Sequence, residues 1–345
     1  MKKPILILKI GTASISRADG SLDEPVLVEM ARQVAQLHRR YRIVMVSSGA
    51  VGAGKRLMKH YQGQVKERKA AAAIGNPLLI NKYQQFFAPY GITIAQSLCE
   101  RRHFSERFQF LQLRETFDTL WEHEVIPIAN ENDVVSSLEI RFSDNDELAT
   151  LMAIGFGAEK LLLGTSVPGV LDAQGRVVSR IEQFDEQVMG LAQKKKSDAG
   201  LGGMISKLTF ARLATRMGIK VVIFGLEQAG SILEAEAEQT GTICLPQKST
   251  LSARNKWLAS SSLVSGRIVI DEGAYQALGQ RKSLLAVGLL ELVRPFEKGE
   301  VFELVRVGEE APFALARAKV SATYLASHPK TKGLEIAHAD DIVFV

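Results

Sequence analysis

Two clusters of short polar residues lie close together in the middle of the sequence. The first, Asn130-Glu131-Asn132-Asp133, follows an apolar segment at 125–129, and the second, Ser143-Asp144-Asn145-Asp146, precedes an apolar helix. Asn and Asp also make turns, so turn formation explains either cluster taken alone. Ligands of open α/β sheets bind at the carboxyl ends of strands, where two such clusters can hold the ammonium and amide-accepting groups of a small polar molecule. The pattern predicts a binding site, with Asp144 or Asn145 as the helix N-cap.

Lys9 is a second candidate, at the end of a predicted strand over residues 4–10. It is followed by Gly11-Thr12-Ala13-Ser14. A lysine at a strand end, with exposed backbone N–H groups and hydroxyls after it, can bind phosphate. The alternative is a turn that ends the strand and leaves Lys9 exposed.

A glycine-rich segment, Gly200-Leu201-Gly202-Gly203-Met204-Ile205-Ser206-Lys207, leads into a predicted helix that ends near Gly218. Glycines allow a ligand to approach the backbone closely, and a helix N-terminus favours phosphate. Lys207 lies about one turn inside the helix and can reach the same anion. The segment therefore predicts a phosphate site, with a flexible loop and a surface lysine as the alternative.

The segment from Gly49 to Lys55 has most of the Walker A spacing: Gly49, four residues, Gly54 and Lys55. That motif continues with Ser or Thr to hold magnesium, whereas this chain has Arg56. The small residues can equally begin a helix straight after the preceding strand. Ser48 and Gly49 would then meet an anion at the helix N-terminus.

The predicted strands and helices alternate through about residue 250, which indicates a mostly parallel sheet with helices on both faces. The predicted strands are 4–10, 43–46, 92–98, 125–129, 160–164, 219–224 and 242–244, and helices are predicted at 24–40, 66–88 and 106–124. We expect an interruption of the second helix at Gly75-Asn76-Pro77.

The predicted secondary structure changes after Gly266, from alternating strands and helices to mainly short strands. Short strands are predicted at 267–270, 283–287, 301–307 and 313–319, with a helix near 274–278. A length of 345 residues suits two domains. The expected organisation is an α/β domain over 1–255, a linker over 256–265 and a small β-rich domain over 266–345.

Composition excludes several classes of protein. Apolar content of 46% and charged content of 23% are ordinary for a globular protein. From residue 266 onward, ten Lys/Arg stand against eleven Asp/Glu, a net charge of −1, which argues against nucleic-acid binding by the tail. Cys99 and Cys244 fit no zinc or disulfide pattern, which favours a cytoplasmic location. The apolar run at 4–8 is too short for a signal peptide, and no membrane span is expected.

Taken together and in order, six motifs resemble those of the glutamate 5-kinases, a branch of the amino acid kinase family. They are KIGTAS, SSGAVGAG, IPIANEND, SDND, GLGGMISK and SGRIVIDEGA. The resemblance covers essentially the whole chain and implies the amino acid kinase fold followed by a PUA domain. It also implies transfer of the γ-phosphoryl group of ATP, with Mg2+, to the side-chain carboxylate of L-glutamate. The product would be L-glutamyl 5-phosphate, the first intermediate of L-proline biosynthesis.

The resemblance also assigns roles to residues. Lys9 and Lys207 would stabilise the transferring phosphoryl group, and Asp146 would order the two lysines. The residues implied for the substrate are Ser48, Gly49, Asp133, Asp144 and Asn145. Those implied for ATP are Lys9, Thr165, Ser166, Leu201, Gly202, Gly203, Met204, Ile205, Ser206 and Lys207. No residue is assigned to a metal. Feedback inhibition by L-proline, a homo-oligomer and association with glutamyl phosphate reductase are further expectations.

Three departures from the family pattern concern the nucleotide. Ser166 stands where the family usually has Asp, Leu201 replaces a usual Thr, and the loop after Val170 is shorter. We therefore expect weaker or less adenine-selective nucleotide binding. The alternatives are an amino acid kinase acting on another carboxylate or carbamate, an RNA-binding protein led by its PUA domain, and a P-loop nucleoside triphosphatase.

Overall fold

The computed structural model describes residues 2–17, 21–135, 144–191, 203–226, 228–247, 264–309 and 312–344. The chain divides into two compact units. One comprises Met1–Arg101 and Gln112–Ser249, and the other comprises Arg102–Leu111 and Thr250–Val345. Within the described residues, no helix has both the length and the apolar character needed to cross a membrane.

The first part of the chain alternates strands with helices, as its sequence predicts. Its strands are β1 (Ile5–Ile10), β2 (Arg42–Ser47), β3 (Ile94–Cys99), β4 (Ile126–Glu131), β5 (Lys160–Thr165), β6 (Arg180–Ile181), β7 (Lys220–Gly225) and β8 (Thr242–Cys244). Its helices are α1 (Thr12–Ile15), α2 (Glu24–His38), α3 (Ala50–Lys55), α4 (Val65–Phe87), α5 (Arg102–Ser105), α6 (Arg107–Glu122), α7 (Asn145–Phe156), α8 (Glu186–Leu191), α9 (Met204–Arg216) and α10 (Ser231–Glu236).

These eight strands form one sheet in the order β3-β4-β2-β1-β5-β7-β8-β6. Neighbouring strands are parallel except β7 and β8, which confirms the predicted mostly parallel α/β sheet. Strands β1 and β4 are buried along their whole length. Because adjacent residues of a strand point to opposite faces, both faces of the sheet are covered there. Because β1, β2, β4 and β5 are parallel, their carboxyl ends lie at the same edge of the sheet.

Helix α4 runs without a break through Gly75-Asn76-Pro77, so the predicted interruption is wrong. A Cβ atom on Gly75 would lie 1.7 Å from the Ala50 carbonyl oxygen, and one on Gly54 would lie 1.9 Å from the Ala71 carbonyl oxygen. The two glycines thus let the backbones of α3 and α4 touch. This contact holds α4 in place across Pro77, which removes one helical hydrogen bond. It also fixes α4 against the helix that follows β2.

Two polar side chains of α2, the buried Gln33 and the partly exposed Glu29, cap a distant helix. Gln33, 2% exposed, accepts hydrogen bonds through Oε1 from the backbone N–H groups of Ile232 (2.8 Å) and Leu233 (3.1 Å). Glu29 accepts from the N–H of Gly230 at 3.0 Å. The first N–H groups of a helix have no partner inside it, so these contacts satisfy the start of α10.

We expect Gln33→Ala to destabilise the protein by about 1–3 kcal/mol, because two buried N–H groups lose their acceptor. Urea unfolding measures this change. Gln85→Ala is the matched control, since that exposed glutamine donates a side-chain hydrogen bond to Asn81, one turn away on α4. A Gln33→Ala variant as stable as the control variant would contradict the assignment of Gln33 as a cap.

The tail is rich in short strands. It contains β9 (Val264–Ile270), α11 (Glu272–Gly279), β10 (Leu284–Leu285), β11 (Leu289–Arg294), β12 (Val301–Arg306), β13 (Pro312–Arg317), α12 (Ala322–Ser327), β14 (Glu335–Ala337) and β15 (Ile342–Phe344). Five strands form a sheet in the order β11-β9-β12-β13-β15, and β10 pairs with β14. Its core includes Ile268, Phe302, Leu304 and Ile336. The sequence did not indicate β11, β14, β15 or α12.

Candidate active site

A cavity of about 950 Å3 opens at the carboxyl edge of the large sheet. Strand β1 leads into it through Lys9 and Gly11, β2 through Ser48 and Gly49, and β5 through Thr165 and Ser166. Helix α9 contributes Lys207. The segments that sequence analysis selected separately therefore line one cavity, although they are spread over about 200 residues of chain. Parallel pairing produces this convergence, because parallel strands end on the same side.

Asp146 lies between two lysines. Its Oδ1 is 2.6 Å from Lys9 Nζ, and its Oδ2 is 2.9 Å from Lys207 Nζ. Lys9 and Lys207 are each 5% exposed, and Asp146 is fully buried. A buried charge is costly unless it is paired. The carboxylate thus keeps two cations close together at the cavity wall.

The charges of this cluster shift one another. Burial raises the pKa of Asp146, but attraction to Lys9 and Lys207 outweighs burial and holds that pKa below its ordinary value. Burial lowers the pKa of the Lys9 ammonium, and Asp146 opposes this effect while Lys207 adds to it. The ionised carboxylate and its cations thus stabilise one another in the folded state.

Asp144 begins helix α7 as its N-cap, as one of the two predicted alternatives has it. Its Oδ1 accepts hydrogen bonds from the backbone N–H groups of Asp146 (2.9 Å) and Glu147 (3.2 Å). Ser206 donates a hydrogen bond to its other oxygen. Burial, and then repulsion from Asp146, raise the pKa of Asp144. Asp144 therefore links the start of α7 to the start of α9.

Asn145 joins the ends of three segments. Its amide Nδ2 lies 2.7 Å from Ser48 Oγ, 3.0 Å from Asn130 Oδ1 and 3.4 Å from the Ser47 carbonyl oxygen. Two of these atoms are pure acceptors, which sets the orientation of the amide. Its Oδ1 is buried and has no hydrogen-bond partner in the part of the chain that the structure describes. That oxygen is a ready acceptor for a donor on a bound molecule.

The family model for the amino acid kinase family matches residues 4–225, which include all the segments that line this cavity. This chain belongs to the amino acid kinase family. A second model, for the PUA domain, matches residues 266–339 and covers most of the β-rich tail. The predicted combination of an amino acid kinase domain and a C-terminal PUA domain is therefore confirmed.

Relatives match over the whole chain. A protein named Glutamate 5-kinase from Haemophilus influenzae (strain PittEE) is 32% identical over 368 residues, covering 100% of each chain. Another of that name, from Vibrio parahaemolyticus, is 33% identical over 362 residues and covers 99% of this chain and 96% of its own. A solved structure, carbamate kinase from Giardia lamblia bound to AMP-PNP, has a TM-score of 0.52 at 16% identity. It covers 71% of this chain and 99% of its own, and shares the fold.

The other residues assigned by resemblance fall into three groups in this amino acid kinase. Gly49, Asp133, Thr165, Ser166, Gly203 and Met204 line the cavity. Ser206 reaches it through Asp144, whereas Ile205 is 53% exposed and is not among the residues that line it. Leu201 and Gly202 lie outside the described residues, as do most of the excursion between the two polar clusters and the proposed linker up to residue 263.

The Walker-like segment does not form a phosphate-binding loop. Residues Ala50–Lys55 are helix α3, which begins directly after Gly49. Gly49 has φ +113° and turns the chain between β2 and this helix. Lys55 follows at the end of α3, exposed at the rim of the cavity. The spacing of Gly49, Gly54 and Lys55 instead reflects the turn and the contact of α3 with α4.

Several residues that line the cavity were not predicted from the sequence. Tyr61, Arg68 and Asp172 carry polar side chains, and Gly164 makes a close approach. A Cβ atom on Gly164 would lie 2.5 Å from Leu226 Cδ1 and 3.1 Å from the Lys9 carbonyl oxygen. No local pattern marks Arg68, because its place in the cavity depends on how α4 packs on α3. The available signal for Gly164 was a glycine at the end of the predicted strand 160–164.

Proposed function

We propose that this chain is a glutamate 5-kinase, which transfers the γ-phosphoryl group of ATP to the side-chain carboxylate of L-glutamate. The products are L-glutamyl 5-phosphate and ADP, and the reaction opens L-proline biosynthesis. The observation that carries the proposal is the carboxylate of Asp146 between Lys9 and Lys207 at the cavity. The names of the full-length relatives supply the substrate.

The chemistry needs charge stabilisation and positioning more than proton transfer. A glutamate side chain, with a pKa of about 4.3, is already ionised at neutral pH and can attack without a general base. One carboxylate oxygen forms a bond to the γ-phosphorus, the bond from that phosphorus to the bridging oxygen breaks, and ADP leaves with its electron pair. Lys9 and Lys207 lie where cations can stabilise the charge on the transferring group.

We assign the substrate and the nucleotide to different walls of the cavity. Ser48, Gly49 and Asp133 surround the position we assign to glutamate, and the free oxygen of Asn145 accepts a hydrogen bond from its ammonium. Gly203, Met204, Thr165 and Ser166 line the part we assign to ATP. The Ser14 hydroxyl, which is buried and unpartnered among the described residues, also lines the cavity after Lys9 and Gly11 and can donate to a phosphate oxygen.

In this proposal Mg2+ binds together with ATP, and the residues that line the cavity are compatible with a bound Mg2+ ion. Mg2+ is bound largely by phosphate oxygens and water, so it needs no dedicated set of side chains. Within the described part of the chain, no group of three or more His, Cys, Asp or Glu is placed to hold a metal. When bound, the ion neutralises phosphate charge, and we assign it no protein ligand.

Several partners belong to the same proposal. L-proline shares the α-carboxylate and α-nitrogen of glutamate, so we propose it as a feedback inhibitor that competes for the cavity. We also propose a homo-oligomer and, because acyl phosphates are labile, association with glutamyl phosphate reductase. A cytoplasmic location fits the two cysteines, Cys99 and Cys244, which are free and buried.

The decisive experiment traps the acyl phosphate. The purified protein is incubated with ATP, magnesium, hydroxylamine and L-glutamate, with L-aspartate and N-acetyl-L-glutamate in parallel. We expect γ-glutamyl hydroxamate from glutamate alone. Hydroxamate from another acid only would keep the phosphoryl transfer and change the substrate. The absence of product from every acid would overturn the kinase proposal.

We expect Ser166→Asp to strengthen ATP binding or its selectivity over GTP, because it restores the carboxylate usual in the family at this cavity-lining position. A carboxylate that accepts hydrogen bonds from a nucleotide hydroxyl or amino group adds specificity. Equilibrium dialysis with both nucleotides measures the change, and Ser179→Asp, outside the cavity, is the control. Equal affinities in the Ser166→Asp variant and the unmodified protein would refute the expectation.

We expect an alkaline fall in kcat/KM with a midpoint below 10.5, the ordinary lysine value. Lys9 must be protonated to stabilise phosphoryl charge, and burial lowers its pKa, so its charge is lost as pH rises through that lowered pKa. In Lys9→Arg any residual activity should persist to higher pH, because guanidinium stays charged. An unchanged alkaline limb in that variant would assign the titration to another group.

A further inference from the structure

Arg68 is a cation of the cavity wall to which the reaction assigns no role. It lies in the first part of α4, lines the cavity, and is partly buried. In the described ranges it takes part in no side-chain hydrogen bond or ion pair. Two other partly buried arginines of this unit have acidic partners: Arg42 pairs with Asp118, and Arg101 pairs with Glu147. Among the described residues, Arg68 is thus a cation at the cavity without an anionic partner.

The position of Arg68 near the start of α4 also favours the binding of an anion beside it. Helix α4 begins with a capping box, in which Glu67 accepts from the backbone N–H of Gln64 at 2.9 Å. Arg68 comes immediately after Glu67, beside the positive end of the helix dipole. A cation there is unfavourable, and an anion bound there gains from both the guanidinium and the dipole. The Glu67 carboxylate is already used at the cap.

The arrangement around Arg68 holds it at the cavity. Gly54 and Gly75 bring α3 and α4 into backbone contact, so α4 cannot shift against the helix that begins directly after Gly49. Gly52 of α3 also lines the cavity, and a Cβ atom added there would meet no atom within 4 Å. The space in front of α3 is therefore open to a ligand.

Besides the lysine pair, the residues that line the cavity carry both signs of charge. Glu131 and Asp133, at and just beyond the end of β4, supply carboxylates, and Arg68 supplies a guanidinium. An α-amino acid carries an ammonium and a carboxylate on the same carbon, so it matches such a pair of walls. Its side-chain carboxylate is then left to point toward Lys9 and Lys207.

We propose that Arg68 binds the α-carboxylate of the acceptor amino acid and makes the enzyme selective for α-amino acids. This inference rests on the proposed function, because it presumes an amino acid in the cavity. A guanidinium presents two parallel N–H groups that match a carboxylate, so an α-carboxamide or a bare methylene is rejected. Arg68 acts on binding and not on the transferring phosphoryl group, and its loss changes KM more than kcat.

The test compares L-glutamate with L-isoglutamine, which keeps the ammonium and side-chain carboxylate but has a neutral α-carboxamide. Hydroxamate formation is measured for the wild-type protein, Arg68→Ala, Arg68→Lys and the control Lys69→Ala. Lys69 is the next residue of α4 and is not among the residues that line the cavity. We expect Arg68→Ala to raise KM for glutamate about 10- to 100-fold, with little change for isoglutamine. Arg68→Lys should keep part of the preference for glutamate over isoglutamine, and Lys69→Ala should keep all of it.

An unchanged ratio of kcat/KM for glutamate over isoglutamine in Arg68→Ala would overturn the inference, as would an equal loss for both compounds. Equilibrium dialysis of radiolabelled L-glutamate separates this result from a failure of the kinase proposal. If the wild-type protein binds glutamate without phosphorylating it, the kinase proposal fails, and weaker binding by Arg68→Ala still supports the role of Arg68. Equal binding by both proteins, or binding by neither, rejects it.

Discussion

Asp146→Asn is expected to lower kcat about 100- to 1,000-fold. The amide has nearly the shape of the carboxylate but no charge, so Lys9 and Lys207, which pair with its two oxygens at 2.6 and 2.9 Å, would repel each other. They would no longer be held together at the position of the phosphoryl group. Steady-state hydroxamate formation measures the effect, and Asp118→Asn, which removes a carboxylate paired with Arg42 outside the cavity, is the control.

The same variant should lose about 3–5 kcal/mol of stability near neutral pH, because two buried cations lose their counterion. The pKa of Asp146 is lowered in the folded protein. Its stabilisation is therefore present above the unfolded value of about 3.9 and is lost as pH falls through the folded pKa. Urea unfolding should show the two proteins converging in acid. A fully active and equally stable Asp146→Asn protein would contradict the central role of this carboxylate.

The second large effect separates two lysines of the same cavity. Lys207→Ala is expected to lower kcat about 100- to 1,000-fold, because it removes a buried cation from the position that we assign to the phosphoryl group. Lys55→Ala should keep kcat within about threefold, since Lys55 is exposed at the rim and α3 is a helix, not a phosphate loop. Single-turnover kinetics with saturating ATP and glutamate distinguishes loss of chemistry from loss of binding.

The outcome for this pair also decides between two interpretations of the sequence. If Lys55→Ala abolished phosphoryl transfer while Lys207→Ala left it intact, the Walker-like segment would be the phosphate site. Circular dichroism of both variants excludes unfolding as the cause. Lys9→Ala provides a further comparison, because Lys9 shares Asp146 with Lys207 and its loss should resemble that of Lys207.

Much of the fold could be predicted because the parallel strands are short apolar runs separated by clear helical periodicity. The β1 segment ILILKI is fully buried. As expected for an α/β sheet, the cavity is lined by members of both polar clusters: Asn130, Glu131, Asp133, Asp144 and Asn145. Asp144 could be predicted as an N-cap because Asp before an apolar helix is a local signal. Each of these predictions rests on residues that lie close together in the sequence.

Features that depend on distant residues could not be predicted in this way. Pro77 indicates a broken helix locally, and only the contact of α3 with α4 explains why α4 continues. The edge strand β11 exposes Leu290 and Val293, so its alternation does not resemble that of a strand with one buried face. Arg68 carries no motif, since its relation to the cavity comes from the packing of two helices.

The ion pairs of Asp146 also bear on how the chain is made at the ribosome. Lys9 is synthesised near the beginning, its counterion Asp146 follows 137 residues later, and Lys207 comes later still. A nascent chain that ended before α7 would have to bury Lys9 without a neutralising partner, which is strongly unfavourable. The favourable burial of Lys9 at the end of β1 is thus coupled to the folding of α7, which carries its counterion. The charge cluster that we assign to catalysis therefore makes the burial of Lys9 depend on segments that are synthesised much later.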